Sequence, residues 1–275
     1  MLFPSDCHVH TQFCDASTTM ERLAYRAHGL GYVTLGFSPH SPLPFKNDYA
    51  MKPMQEMQYQ QKIAELRRLY RGRMKIYMGI EWDYDTPYGF PRYDYRIGSV
   101  HQMRIGNRYH AIDSSPEELD DCLTVVFNGR AEEYLRYYFS LVEASCTRVG
   151  VDVVGHFDLP MKFNGSFCRF FDENAALYHE MATNCIHRIV RRRPELIFEI
   201  NTGAMFRVGR QVPYPAPFIL RELAKLRARI TITSDAHSVE SLAFWQEGAV
   251  DLCRRCGHRS IYRLAENGFQ AFPLQ

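Results

Sequence analysis

His8-Val9-His10 places two imidazoles two residues apart, the spacing at which side chains of an extended strand face one side and can grip one cation together. Asp235-Ala236-His237 repeats that spacing with a carboxylate and an imidazole. Asp15, His40, Glu81, His101 and His156 lie between the two pairs. A lone buried histidine is usually a hydrogen-bonded core residue. A whole set converging on one place is different, because its desolvation would have nothing to offset it. One zinc-like ion takes about four ligands. The nine candidates His8, His10, Asp15, His40, Glu81, His101, His156, Asp235 and His237 therefore point to two or three divalent ions, with Glu81 or Asp235 shared between them. Imidazole mixed with carboxylate suits Zn, Fe or Mn, and the lack of cysteine in the set fits an open catalytic site.

Residues so far apart in sequence can meet only if regular elements bring them together. Short apolar or β-branched runs at 6–10, 32–38, 75–82, 95–101, 151–156, 196–201 and 229–234 read as strands. Helical patterns fill most gaps, at 18–29 with Ser17 or Thr18 as cap, 54–71, 132–149, 172–193, 217–227 and 238–256. Residues 84–94, rich in Tyr, Pro and Gly, read as a long loop on one rim. Strands alternating with helices predict a parallel α/β protein, a closed or partly closed barrel rather than an open doubly wound sheet. No linker or repeat divides residues 1–275, so a single domain is expected. In such a barrel the chemistry sits where the βα loops converge, at the C-terminal strand ends. Six of the seven predicted strands deliver a candidate ligand to that rim, and the sixth strand contributes Asn201 as an orienting or substrate group.

Composition narrows the class further. With 46% hydrophobic residues, 23% charged residues and a net charge of +2, the chain is an ordinary globular protein with no sign of nucleic-acid binding. No apolar run approaches the ~18–20 residues needed to cross a bilayer, so no membrane association is expected. The start, Met-Leu-Phe-Pro-Ser-Asp, lacks the basic and apolar segments of a secretory signal. Cysteines at 7, 14, 122, 146, 168, 185, 253 and 256 are then expected to be reduced thiols of a cytoplasmic protein. Cys253-Arg-Arg-Cys256 has no second pair to complete a zinc site.

The motif set HVHTQFCD, SPHS, GIEWDY, GSVHQM, GHFDLP and SDAH, running from residue 6 to residue 237, resembles the polymerase-and-histidinol-phosphatase (PHP) family. The contexts GHFDLPMKFN, EINTGAMFR and YPAPFIL are similar to its histidinol-phosphate phosphatase branch. The resemblance implies a distorted (β/α)7 barrel of the PHP type and a trinuclear centre. Carried over by position, His8, His10, Glu81 and Asp235 hold one ion, Asp15, His40 and His237 another, and Glu81, His101 and His156 the third. It also implies hydrolysis of a small-molecule phosphate ester, L-histidinol phosphate, in histidine biosynthesis. Another small phosphate ester or nucleotide, or a non-catalytic role beside a polymerase, are the alternatives.

Adjacent divalent ions acidify a bridging water to hydroxide and clamp phosphate oxygens for in-line attack on phosphorus. Asp235 and His237 are the candidates to protonate the departing alkoxide. Lys162, Arg169 and Arg207, close after the fifth and sixth strands, are the cations that could hold phosphate, with Asn201 beside them. Cys185-x5-Arg191 and Cys253-x5-Arg259 match a cysteine-phosphatase spacing but lack the strand and glycine-rich loop that lower a thiol pKa. Asp83-Tyr-Asp85-Thr86 is expected in the loop over the metals, and Arg191-Arg-Arg193 as the basic close of a helix.

Overall fold

The computed structural model describes residues 4–87, 93–165 and 169–274. Seven strands, β1 (Ser5–Asp6), β2 (Thr34–Phe37), β3 (Lys75–Asp83), β4 (Tyr95–Ser99), β5 (Val153–Val154), β6 (Ile197–Asn201) and β7 (Arg229–Thr233), form one sheet in chain order. Every neighbouring pair is parallel. Val9 bridges Ala236 in parallel, with the His10 amide 2.9 Å from the Ala236 carbonyl, so the first and last strands approach closure. All seven expected runs are thus strands of a nearly closed α/β barrel.

Two strands are reduced to two residues each. The run at 6–10 pairs as a strand only over Ser5–Asp6, because side chains take over its backbone donors: the Asp6 carboxylate accepts from the His8 amide at 3.0 Å and Ser38 Oγ from the Val9 amide at 3.2 Å. The 151–156 run keeps only Val153–Val154, after which Gly155 and His156 turn into the mouth.

The first helix is Met20–Gly29, and its cap is Thr19, whose side chain accepts from the Arg22 amide. Ser17 is not the cap because its hydroxyl donates to the His237 carbonyl at 3.1 Å. Thr18 is buried, and its hydroxyl has no hydrogen-bond partner. The run at 238–256 is helical only over Gln246–Arg255, since Ala243 and Trp245 adopt left-handed conformations that interrupt a helix. The remaining helical runs form as Pro53–Leu69, Ala131–Cys146, Ala176–Arg192 and Pro217–Lys225. Of the expected loop at 84–94, residues 88–92 lie outside the described residues, as does Cys168.

Two hairpins have no counterpart in the sequence reading. Gln102–Ile105 with Arg108–Ala111 stands on the C-terminal rim, followed by the helix Pro116–Asp121 and a wide turn at Cys122–Val126. Ser260–Ala265 with Gly268–Pro273 covers the opposite end. There Leu264 packs in a buried cluster with Tyr77, Tyr95, Ile97 and Ile197, and Thr34 Oγ1 donates to the Leu264 carbonyl at 2.7 Å.

Tyr95 fills the barrel interior and donates its hydroxyl to the Cys7 carbonyl at 2.6 Å. Its ring occupies the space a Cβ on Gly79 would take. Gly79→Ala is therefore expected to cost about 1–3 kcal/mol through overpacking. A fall in the denaturant midpoint at unchanged slope checks this, and an unchanged midpoint would contradict the packing.

Candidate metal centre

The strand ends bring all nine candidate ligands to one mouth. Glu81, on β3, is buried at the middle of them. Its Oε1 lies 2.8 Å from His156 Nε2 and 3.3 Å from His101 Nε2, and the two imidazole nitrogens are 3.1 Å apart. Its Oε2 lies 3.5 Å from both His8 Nε2 and His10 Nε2. Asp235 Oδ1 reaches His10 Nε2 at 3.0 Å and His8 Nε2 at 3.7 Å. A further group gathers Asp15 Oδ2 with His237 Nε2 at 3.1 Å and His40 Nε2 at 3.7 Å.

These atoms are poised for cations more than for one another. The His8 and His10 Nε2 atoms face each other at 3.3 Å. Glu81 Oε2 is buried without a hydrogen bond, although His40 Nδ1 is 2.9 Å away. An orphaned carboxylate oxygen ringed by inward-facing imidazole nitrogens is a donor set that a divalent ion would satisfy. Among the described residues, donor atoms close enough to share an ion occur as His10, Asp15, His40 and His237, as His8, His10 and Glu81, and as His40, Glu81 and His101.

Carboxylates behind the ligands fix how the rings face. Glu199 Oε2 holds His8 Nδ1 at 2.8 Å, and Glu199 Oε1 accepts from the His156 amide at 2.5 Å. Asp83 Oδ2 holds His101 Nδ1 at 2.7 Å and the His101 amide at 3.1 Å. The two ring contacts, at His8 and His101 Nδ1, leave Nε2 turned toward Glu81, the arrangement that orients metal-binding histidines generally. Sequence reasoning missed Glu199 and misplaced Asp83 in a loop, although both carry a readable signal. Glu81 and Asp83, like Glu199 and Asn201, are two apart on one strand and so share a face.

Burial alone would lower the pKa of His8, but Glu199, Asp235 and Glu81 outweigh it and hold the ring well above its ordinary value. The same balance raises His10 against Asp15, His40 against Glu81 and Asp15, and His101 against Glu81 and Asp83. Burial would raise Glu81, yet His101, His40 and His8 hold it well below the carboxylate range. Asp235 is held low in the same way by Arg207 and His8. His237 is pushed down to about 4 by burial and the neighbouring His10 and Arg207. Neither Asp235 nor His237 therefore carries a proton to give near neutral pH. Each would have to take up a proton before passing one to a departing alkoxide.

Asp235 adopts a left-handed backbone conformation with φ 48°, a strained setting for a non-glycine residue. Gly203 makes room for it, since a Cβ there would come 2.8 Å from the Asp235 Cβ. Arg207 Nη2 donates to Asp235 Oδ2 at 3.1 Å, and its Nη1 lies 3.0 Å from His237 Nε2. Arg207 and Lys162 line the cavity of about 910 Å³ above the cluster, where Asp113 Oδ2 holds Lys162 Nζ at 2.8 Å. Asn201 is buried beneath, its amide donating to Glu199 at 2.9 Å and to Asp235 at 3.3 Å. Arg169 is exposed, with its guanidinium 4.7 Å from the Phe170 ring centre, and is not part of the cavity wall.

Cys185 and Cys253 are buried in helices, and burial pushes each up to about 12. Among the described residues, no helix is long and apolar enough to cross a membrane.

A parallel barrel whose C-terminal mouth gathers imidazoles and carboxylates around a buried glutamate, beside cations in an open cavity, defines a metal-dependent hydrolase. The chain belongs to the PHP domain family, whose model matches residues 6–203. It is 27% identical over 271 residues to the histidinol-phosphatase of Bacillus subtilis (strain 168), spanning 90% of this chain and 98% of that protein. Its fold is that of Listeria monocytogenes hisK, with a TM-score of 0.76 at 20% identity over 89% of this chain and 99% of that one. It is likewise that of the Lactococcus lactis histidinol phosphate phosphatase solved with Zn, L-histidinol and phosphate, with a TM-score of 0.71 at 19% identity over 98% of this chain and all of that one (100%).

The neighbouring carboxylates raise His8, His10, His40 and His101 above the ordinary imidazole value and so favour their protonated forms, and a cation binding there competes with protons. Zinc titrated into stripped protein at neutral pH is expected to release protons, and affinity to rise with pH. Calorimetry in buffers of different ionisation enthalpy reads the release directly, and buffer-independent heats would contradict the charge state. Glu199→Gln is expected to weaken metal binding by about 10–100-fold. Wild-type affinity in that variant would remove its orienting role.

Proposed function

We propose that this protein hydrolyses L-histidinol phosphate to L-histidinol and phosphate in the cytoplasm, the residues 1–275 acting as one unit. The observation that carries the reading is the buried Glu81 ringed by ligand atoms from five strand ends, directly below a cavity with Arg207 and Lys162 in its wall. The near full-length likeness to the Bacillus subtilis enzyme supports the substrate.

We assign two or three divalent ions, of the zinc, iron or manganese type, to the donors. His8, His10, Glu81 and Asp235 would hold one, Asp15, His40 and His237 a second, and Glu81, His101 and His156 a third. When bound there, divalent cations make water more acidic and neutralise charge on the phosphoryl oxygens.

The chain's own groups do the rest. Arg207, fixed by Asp235, presents its guanidinium at the rim of the cluster, where a phosphoryl oxygen would lie. Lys162, pinned by Asp113, adds a second cation on the same wall. Asp235, held ionised, takes the proton from the attacking water and returns it to the departing alkoxide, which balances the reaction without a phosphorylated side chain. Asn201 and Gly203 keep its carboxylate in place for both transfers.

Phosphate release from L-histidinol phosphate, compared with a panel of phosphate monoesters with and without chelator, tests the reading. Preference for L-histidinol phosphate and loss of turnover on chelation are expected. Turnover that survives chelation would remove the metal-dependent chemistry, and activity confined to other esters would remove the substrate. Glu81→Ala and His101→Ala are each expected to abolish turnover while circular dichroism stays native. Near wild-type rates in both would be incompatible with a shared centre.

A further inference from the structure

At the end of the barrel remote from the metal centre, a second cavity of about 890 Å³ opens between the end of the helix Pro53–Leu69, the start of β3 and the C-terminal hairpin. Its charge is one-sided. Arg67, Arg71, Arg73, Lys75 and Arg263 line it, against only Asp94 and Glu266. Four of the five cations fall within the nine residues Arg67 to Lys75, and the turn at Gly72, with φ 74°, brings both halves of that segment to the cavity.

Three of these cations are poorly compensated. Asp94 Oδ2 holds Arg67 at 2.5 Å, but it also accepts from the Met78 amide and is committed to the sheet. Arg71, Arg73 and Lys75 have no carboxylate within salt-bridge reach among the described residues. Arg73 donates to the Leu69 carbonyl and Lys75 to that of Glu266. Arg263 sits with its guanidinium 3.4 Å from the Phe272 ring centre, and burial lowers its pKa. Helix polarity accounts for cations in the last turn of Pro53–Leu69, such as Arg67, but not for those beyond it. The floor is apolar, made by Val33, Ile76, Leu264 and Phe272.

Guanidinium forks around an apolar floor match phosphate groups carried on an organic body, and the volume is that of a small-molecule site. We propose that this cleft binds a phosphorylated small molecule of nucleotide size, at a site separate from the metal centre. The site rests on its own geometry and stands whether or not L-histidinol phosphate is the substrate.

Pyrenetetrasulfonate, a fluorescent polyanion on an apolar body, serves as reporter with the full-length metal-loaded protein, and ATP as competitor. Saturable one-to-one binding of the reporter, displaced by ATP, is expected. Arg71→Ala/Arg73→Ala should weaken the reporter by at least about tenfold, the loss of one or two charge-assisted contacts. The same double variant should keep native circular dichroism and unchanged phosphatase turnover, which shows that it folds. Glu81→Ala should bind the reporter as wild type does. Absence of saturable binding, a reporter that ATP leaves in place, full binding by the double variant, or loss in Glu81→Ala instead would each overturn the proposal.

Discussion

A carboxylate buried at the centre of a barrel mouth is stable as an anion only if charge or protons are brought to it, and Glu81 meets imidazoles from four other strand ends. His8 and His10 come from β1, His40 from β2, His101 from β4 and His156 from β5, so the geometry of the whole sheet is registered on one side chain. Regular strand structure ends at Asp6 and at Val154, and His8, His10 and His156 follow in the irregular backbone beyond those ends. Even the strained backbone of Asp235 belongs to the same arrangement, since Gly203 and Arg207 are placed to receive it.

The two ends of the barrel divide the work. At one end, Tyr95, Leu264 and the C-terminal hairpin seal the interior with apolar contacts and a few directed hydrogen bonds. At the other, buried polar groups gather, and two of the ligands are steadied from behind, His8 by Glu199 and His101 by Asp83. Orientation by a second carboxylate leaves a lone pair or a proton facing inward, and it is this inward supply of donors that makes the mouth a cation site instead of a buried salt-bridge cluster.

Much of this was legible in the chain because strand periodicity is short and ligand chemistry is restrictive. HxH and DxH on strands can face only one way, and the seven apolar runs gave the strands that carry them. The hairpin at 102–111 was not legible, since its alternation is brief and most of its residues are only partly buried. The cap at Thr19 was missed because Ser17 is drawn to His237, a tertiary contact with no local signature. The orienting role of Glu199 hid behind the apolar context of its strand, and the assignment of Asp83 to a loop underestimated how far β3 extends. Arg169 read as a phosphate ligand from its proximity in sequence, yet its side chain stacks on Phe170 at the surface.

The central claim is that Glu81 and its surrounding donors hold divalent cations, and anomalous X-ray diffraction from crystals of the protein as purified addresses it most directly. The account predicts anomalous peaks within coordination distance of Glu81, with the flanking peaks bounded by Asp15, His40 and His237 on one side and by His101 and His156 on the other. Well-ordered side chains in the same positions, with no anomalous signal among them in crystals grown with zinc or manganese, would contradict it.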